Sequence, residues 1–170
     1  MRPGSAIKKA RLGLRALMIA VTAAAGLAAV AMPARAASPF AGLDGSWSGG
    51  GRVQFEGGQT EALRCTAYYT PSGGGAHLGL ALRCASASNK IDLRGRLSHS
   101  GGRIAGDWEE RTYNAQGTAV GSAGDGRIVL RLTGPISGSM SVAVSRNRQT
   151  ISITTQGTAI RGVQIALKRR

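Results

Sequence analysis

The chain has 170 residues, with 22 Lys and Arg against 8 Asp and Glu, for a net charge of +14. That length suits one domain beside any targeting segment, and the basicity directs attention to anionic partners such as lipid headgroups, polysaccharide or an acidic protein. Aromatic residues make up only 4% of the chain, which leaves little to build a stacking platform for single-stranded nucleic acid.

Residues 1–36 read as an export signal. Arg2, Lys8, Lys9, Arg11 and Arg15 form a basic start, an apolar run follows from Ala16 to Met32, and Pro33 precedes the small-residue site Ala34-Arg35-Ala36. This is the three-part layout of a secretory signal peptide. The apolar run is at the short edge for a spanning helix. No cysteine lies near the site for a lipid anchor, and Lys8-Lys9-Ala10-Arg11 is not a twin-arginine motif, so Sec-type export with cleavage near Ala36 is expected. The working protein would then lie in the periplasm or outside the cell, with no transmembrane segment left and no nucleic acid to bind. Cleavage removes six of the basic residues, leaving 16 against 8 acidic, a net +8. All but Lys90 and Lys168 of those 16 are Arg.

Residues 37–46 read as a short N-terminal arm and 47–170 as a single domain. From Trp47 onward apolar residues recur at every second position, and Gly, Ser, Asn and Pro clusters interrupt them. That is the signature of many short antiparallel strands. The expected strands are 47–55, 60–70, 76–85, 90–98, 102–113, 117–123, 126–133, 136–145, 148–155 and 158–168. Ile128, Leu130 and Leu132 oppose Arg127 and Arg131, while Met140, Val142 and Val144 oppose Ser139, Ser141 and Ser145. One face is buried and the other wet. Short connections such as Gly124 to Gly126 and Arg146-Asn147 imply hairpins and an up-and-down meander. So many twisted strands tend to close on themselves, which also removes exposed edges. The expected fold is all-β, an antiparallel closed barrel, with a β-sandwich as the alternative and no helix after residue 36. An outer-membrane barrel needs an apolar outward face and aromatic girdles. Here that face is Arg, Ser, Thr and Gln, and the chain ends Lys168-Arg169-Arg170.

The only cysteines, Cys65 and Cys84, each end the same tripeptide, Leu63-Arg64-Cys65 and Leu82-Arg83-Cys84. The alternation turns both sulfurs to the buried face. A hairpin turning at Gly74-Gly75 sets them opposite each other, so a disulfide formed after export is expected. A metal site would need His77 and His99, but His77 falls on the opposite face and the spacing matches no compact ligand motif. No metal or cofactor is expected.

Both histidines read as exposed loop residues. A Ser-His-Asp site needs a base oriented by a buried acid, and none is indicated. No helix follows Gly49-Gly50-Gly51, so it is not a phosphate loop but a place of strand curvature or close backbone approach. The expectation is therefore a protein that is not an enzyme. Glu110 and Arg161 are the only charged residues that the alternation turns inward. An isolated buried charge is too costly unless paired. A Glu110–Arg161 ion pair is expected, unless both lie in water at the barrel rim or a bulge at Trp108-Glu109 flips Glu110 outward.

Gly45-Ser46-Trp47 resembles the G-x-W opening of lipocalins and other calycin-type barrels, and Gly106-Asp107-Trp108 repeats the pattern. The resemblance implies that Trp47 and Trp108 help close the barrel and that a late arginine, with Arg161 the candidate, packs over Trp47. The order Trp47, Cys65, Cys84, Trp108 is also similar to that of small periplasmic inhibitors of secreted metalloproteases. Those are eight-stranded barrels with one disulfide whose N-terminal arm enters the protease cleft, which would give residues 37–43 the active role. The overall pattern further resembles small exported bacterial β proteins. The leading expectation is an exported, non-enzymatic binding protein with a calycin-like barrel, taking a ligand in its mouth or a protein partner on its loops. The alternatives are a basic envelope-associated protein holding anionic surface polymer, and a protease-inhibitor-like protein acting through its arm.

Overall fold

The computed structural model describes residues 38–170, so the expected signal peptide lies outside the described residues. Ten strands follow in chain order: β1 (Gly45–Phe55), β2 (Thr60–Ser72), β3 (His77–Ala85), β4 (Lys90–Ser100), β5 (Arg103–Glu110), β6 (Ala115–Gly124), β7 (Arg127–Thr133), β8 (Ser137–Ser145), β9 (Arg148–Gln156) and β10 (Ile160–Arg169). Each pairs antiparallel with the next, and β1 pairs with β10, as in Val53 opposite Val163, so the sheet closes and the sandwich alternative falls away. Two-residue turns with left-handed backbone make the tightest hairpins. Asp125 (φ 50°) and Gly126 (φ 71°) join β6 to β7 with the twist that two-residue hairpins require.

The alternation in sequence becomes a filled lumen. Val53, Leu63, Leu82, Ile104, Leu130, Ile151, Ile165 and Leu167 are all buried within it. Inward glycines mark where the wall bends. A Cβ on Gly106 would overlap the carbonyl oxygen of Arg96, and one on Gly121 that of Val129. At Gly49 and Gly51 a Cβ would overlap the carbonyl oxygens of Ala166 and Gln164 across the β1–β10 seam. Glycine lets strands bend and approach at such corners.

The two ends of the barrel differ. At the end where β1 begins, the chain before it forms a plug. Phe40, which precedes a one-turn 3-10 helix at Ala41–Leu43, is 0% exposed, and Leu43, the last residue of that helix, is 2% exposed. The Ser38 hydroxyl donates to the Gly75 carbonyl at 2.5 Å, and Trp47 Nε1 donates to the Leu43 carbonyl at 2.7 Å. The segment expected as a short arm thus packs on the barrel: Phe40 and Leu43 belong to the core, while Ala41 and Gly42 between them are exposed. His99 does not lie in an exposed loop as expected. It lies inside β4, half-buried, with its ring edge-on to Phe40 at 6.0 Å. His77 is the exposed first residue of β3.

Above the plug, Gln149 Nε2 donates to the Tyr69 hydroxyl at 2.9 Å, joining β9 to β2 through the interior. Burial pushes the Tyr69 hydroxyl up to about 12, with the Gln149 hydrogen bond acting against it.

Candidate functional site at the open mouth

The opposite end of the barrel has no plug among the described residues. Here β4, β5, β7, β9 and β10 surround an apolar cavity of about 80 Å³. Ile91 and Leu93 supply one wall, Leu132, Ile136 and Ile153 another, and Ile160 and Val163 a third, with Trp108 beneath. These are the mouth-side members of the inward-facing sets. Trp108 is 7% exposed, and its Nε1 donates to the Thr118 carbonyl at 3.1 Å, which fixes the ring against the wall.

Glu110 is the one charged residue lining this cavity and is itself buried. Its two oxygens accept backbone N–H bonds from Asp92 at 2.7 Å and Tyr113 at 2.6 Å. The carboxylate therefore caps the β5–β6 turn and ties it to β4. It does not meet Arg161. A register shift opposite Gln54 and Phe55 inserts an extra residue near the start of β10, so Ile160 faces the cavity and Arg161 faces water. The bulge thus lies on the arginine's strand, while β4 and β5 pair without interruption through Glu110. Arg161 forms an exposed ion pair with Glu56.

Loops around the mouth are cross-tied. The Tyr113 hydroxyl donates to Asn89 Oδ1 at 2.7 Å, joining the β5–β6 turn to the β3–β4 turn. The Ser88 hydroxyl donates to Glu61 at 2.6 Å, joining that turn to β2. Burial, and then the Glu110 charge, raise the Tyr113 hydroxyl above the usual tyrosine range. Hydrogen bonds from Ser86 and then Ser88 hold Glu61 below the usual carboxylate range.

Cys65 and Cys84 are register partners on β2 and β3, both facing inward, and form a disulfide. The arginine over Trp47 is not Arg161 but Arg169, whose guanidinium sits 4.6 Å from the ring centroid. The rim residues Asn89 and Tyr113 drew no attention in the sequence, because they lie in turns beyond the ends of the paired β4 and β5, outside the alternating segments.

No protein-family model matches the chain, and no curated protein matches it in sequence. Solved structures do match in shape. Rv2717c from M. tuberculosis has a TM-score of 0.58 at 14% identity, covering 76% of this chain and 93% of its own. The S-type phycobiliprotein lyase CPES from Guillardia theta has a TM-score of 0.52 at 14% identity, covering 77% of this chain and 89% of its own. The likeness is one of fold. It shows that closed barrels of this shape occur in other solved proteins, in keeping with the expected barrel. It also overturns the expectation that the protein is not an enzyme, since a barrel of this shape carries the name of a lyase.

Proposed function

We propose that the protein is an exported binding barrel that seats the apolar tip of a ligand in its open mouth. One observation carries the reading. The lumen is filled and plugged at one end, while the other end keeps a cavity lined almost wholly by apolar side chains under a cross-tied rim. At about 80 Å³ the cavity is well below the ~300 Å³ at which enclosed small-molecule sites begin. It has room for about three water-sized groups, since a water occupies ~30 Å³. A ligand therefore enters by its tip and keeps the rest of its body over the rim. The disulfide supports export, because such bonds persist in oxidising compartments.

Inhibition of a protease through the arm has less support. Phe40 and Leu43 would have to leave the core to enter a cleft.

A series of straight-chain alkanols tests the proposal. Each buried methylene contributes ~0.8 kcal/mol, so affinity should rise about fourfold per carbon over roughly the first three and then level off. Affinity that never saturates, or that climbs steadily with chain length, contradicts a small mouth site.

A further inference from the structure

The repeated Leu-Arg-Cys tripeptide has a second consequence on the outside of the barrel, independent of the mouth. The disulfide holds Cys65 opposite Cys84, so the preceding Arg64 and Arg83 project outward as diagonal neighbours. Arg83 lies beside Thr66, Arg64 lies beside Ala85, and Ala85 lies beside Lys90. Ser48 and Gly50 continue the same rows on β1. Strands are spaced ~4.8 Å apart, so Arg64 and Lys90 stand about 10 Å apart across a floor of small residues. With Ser48, Thr66 and Arg170 they line an open groove of about 700 Å³, whose one acidic side chain is Asp92. Asp92 pairs with Arg83 and with Arg94. Among the described residues, Arg64, Lys90 and Arg170 have no carboxylate within ion-pair distance.

We propose that this groove binds an anionic polysaccharide. Fixed cations without carboxylate partners attract a polyanion. The Ser48 and Thr66 hydroxyls suit sugar hydroxyls, and an open groove of this volume lets a chain pass through. Attachment to an anionic membrane fits less well. Peripheral membrane binding draws on protruding apolar anchors as well as charge, and the larger apolar residues lining the groove, Cys65, Cys84 and Ile91, belong to the inward-facing set.

The test uses the full chain with polygalacturonate oligosaccharide as probe and neutral dextran as control. A doubly substituted variant, Arg64→Gln with Lys90→Gln, is compared with Arg127→Gln and Arg131→Gln, which remove two exposed charges from β7. Thermal unfolding confirms that both variants are folded. The expected result is polygalacturonate binding that weakens with salt, absence of dextran binding, and about a tenfold loss on removing Arg64 and Lys90. The β7 variant should stay within about twofold, since its charges lie outside the groove. Equal losses in both variants would overturn the site, because net charge alone would then explain binding. Binding to phosphatidylglycerol vesicles with none to polygalacturonate would overturn the polysaccharide assignment. Ile153→Phe, which fills the mouth, should leave polygalacturonate binding unchanged, so the two proposals fail separately.

Discussion

The Arg169 guanidinium stacks over the Trp47 ring at 4.6 Å, and the two residues are register partners at the seam where the last strand meets the first. Arg169 also donates to the carbonyl oxygens of Asp44 and Gly42, at 2.7 Å for the latter. One side chain thus binds the closing strand, the barrel's buried tryptophan and the plug. Arg169→Ala should lower unfolding stability by about 1–2 kcal/mol, combining a lost cation–π contact with lost hydrogen bonds to carbonyls. Arg161→Ala, which breaks only the exposed pair with Glu56, should stay within about 0.5 kcal/mol. Urea denaturation of the two variants gives the comparison.

The disulfide closes a loop with a sequence separation of 19. In the chain-entropy model a cross-link of this span stabilises the fold by about 3 kcal/mol. Substituting both cysteines with serine should lower the urea midpoint accordingly while leaving the strand signature in circular dichroism. Reduction of the native protein should reproduce the shift, and should do nothing to the serine variant.

Tyr69 gives the fold an alkaline limit. Its folded-state hydroxyl lies near 12, against an ordinary tyrosine value of about 10, so the fold holds the proton more tightly than the unfolded chain does. Its contribution is fully present below pH ~10 and is lost as pH rises through ~12. The two-unit shift corresponds to about 3 kcal/mol. Tyr69→Phe should flatten the fall in stability between those pH values, while the wild-type protein loses stability across them. Denaturation midpoints measured at several alkaline pH values resolve the difference.

Glu110 acts at the mouth as a clasp for two backbone N–H groups. Glu110→Ala leaves both donors without their partner and should cost about 2–3 kcal/mol, given ~1–3 kcal/mol for each unsatisfied group. Glu110→Gln keeps one good acceptor and should cost roughly half as much. Amide exchange at Asp92 and Tyr113 should accelerate in the alanine variant before exchange elsewhere does. Unchanged exchange at those two amides would show that the carboxylate does not hold the turn.

Much of the barrel can be read from residue spacing, because the inward set in a half-buried strand repeats with period two. The Ile128, Leu130, Leu132 alternation and the opposition of Cys65 to Cys84 both follow from that period and from hairpin connections. What escaped reading was whatever departs from it. A bulge adds one residue and exchanges the faces beyond it, which is how Arg161 came to point outward. The plug was hidden because Phe40 and Leu43 belong to no periodic segment, although two large apolar residues in a supposed arm were a usable signal. Arg169 could have been placed over Trp47 by the closure itself, since a closed meander sets the start of the first strand against the end of the last. Asn89 and Tyr113 lie in turns just beyond the paired ends of β4 and β5, outside any periodic segment, so the alternation said nothing of their bond.

The most direct test of the mouth site uses Trp108, which lines the cavity, against Trp47, which lies near the plugged end. A brominated alkanol seated in the mouth should quench Trp108 emission saturably, and Ile153→Phe should abolish that quenching. Trp47→Phe should leave it intact, since the signal arises at the other end of the barrel. Absence of saturable quenching, or quenching that survives in Ile153→Phe, would contradict a ligand site in the mouth.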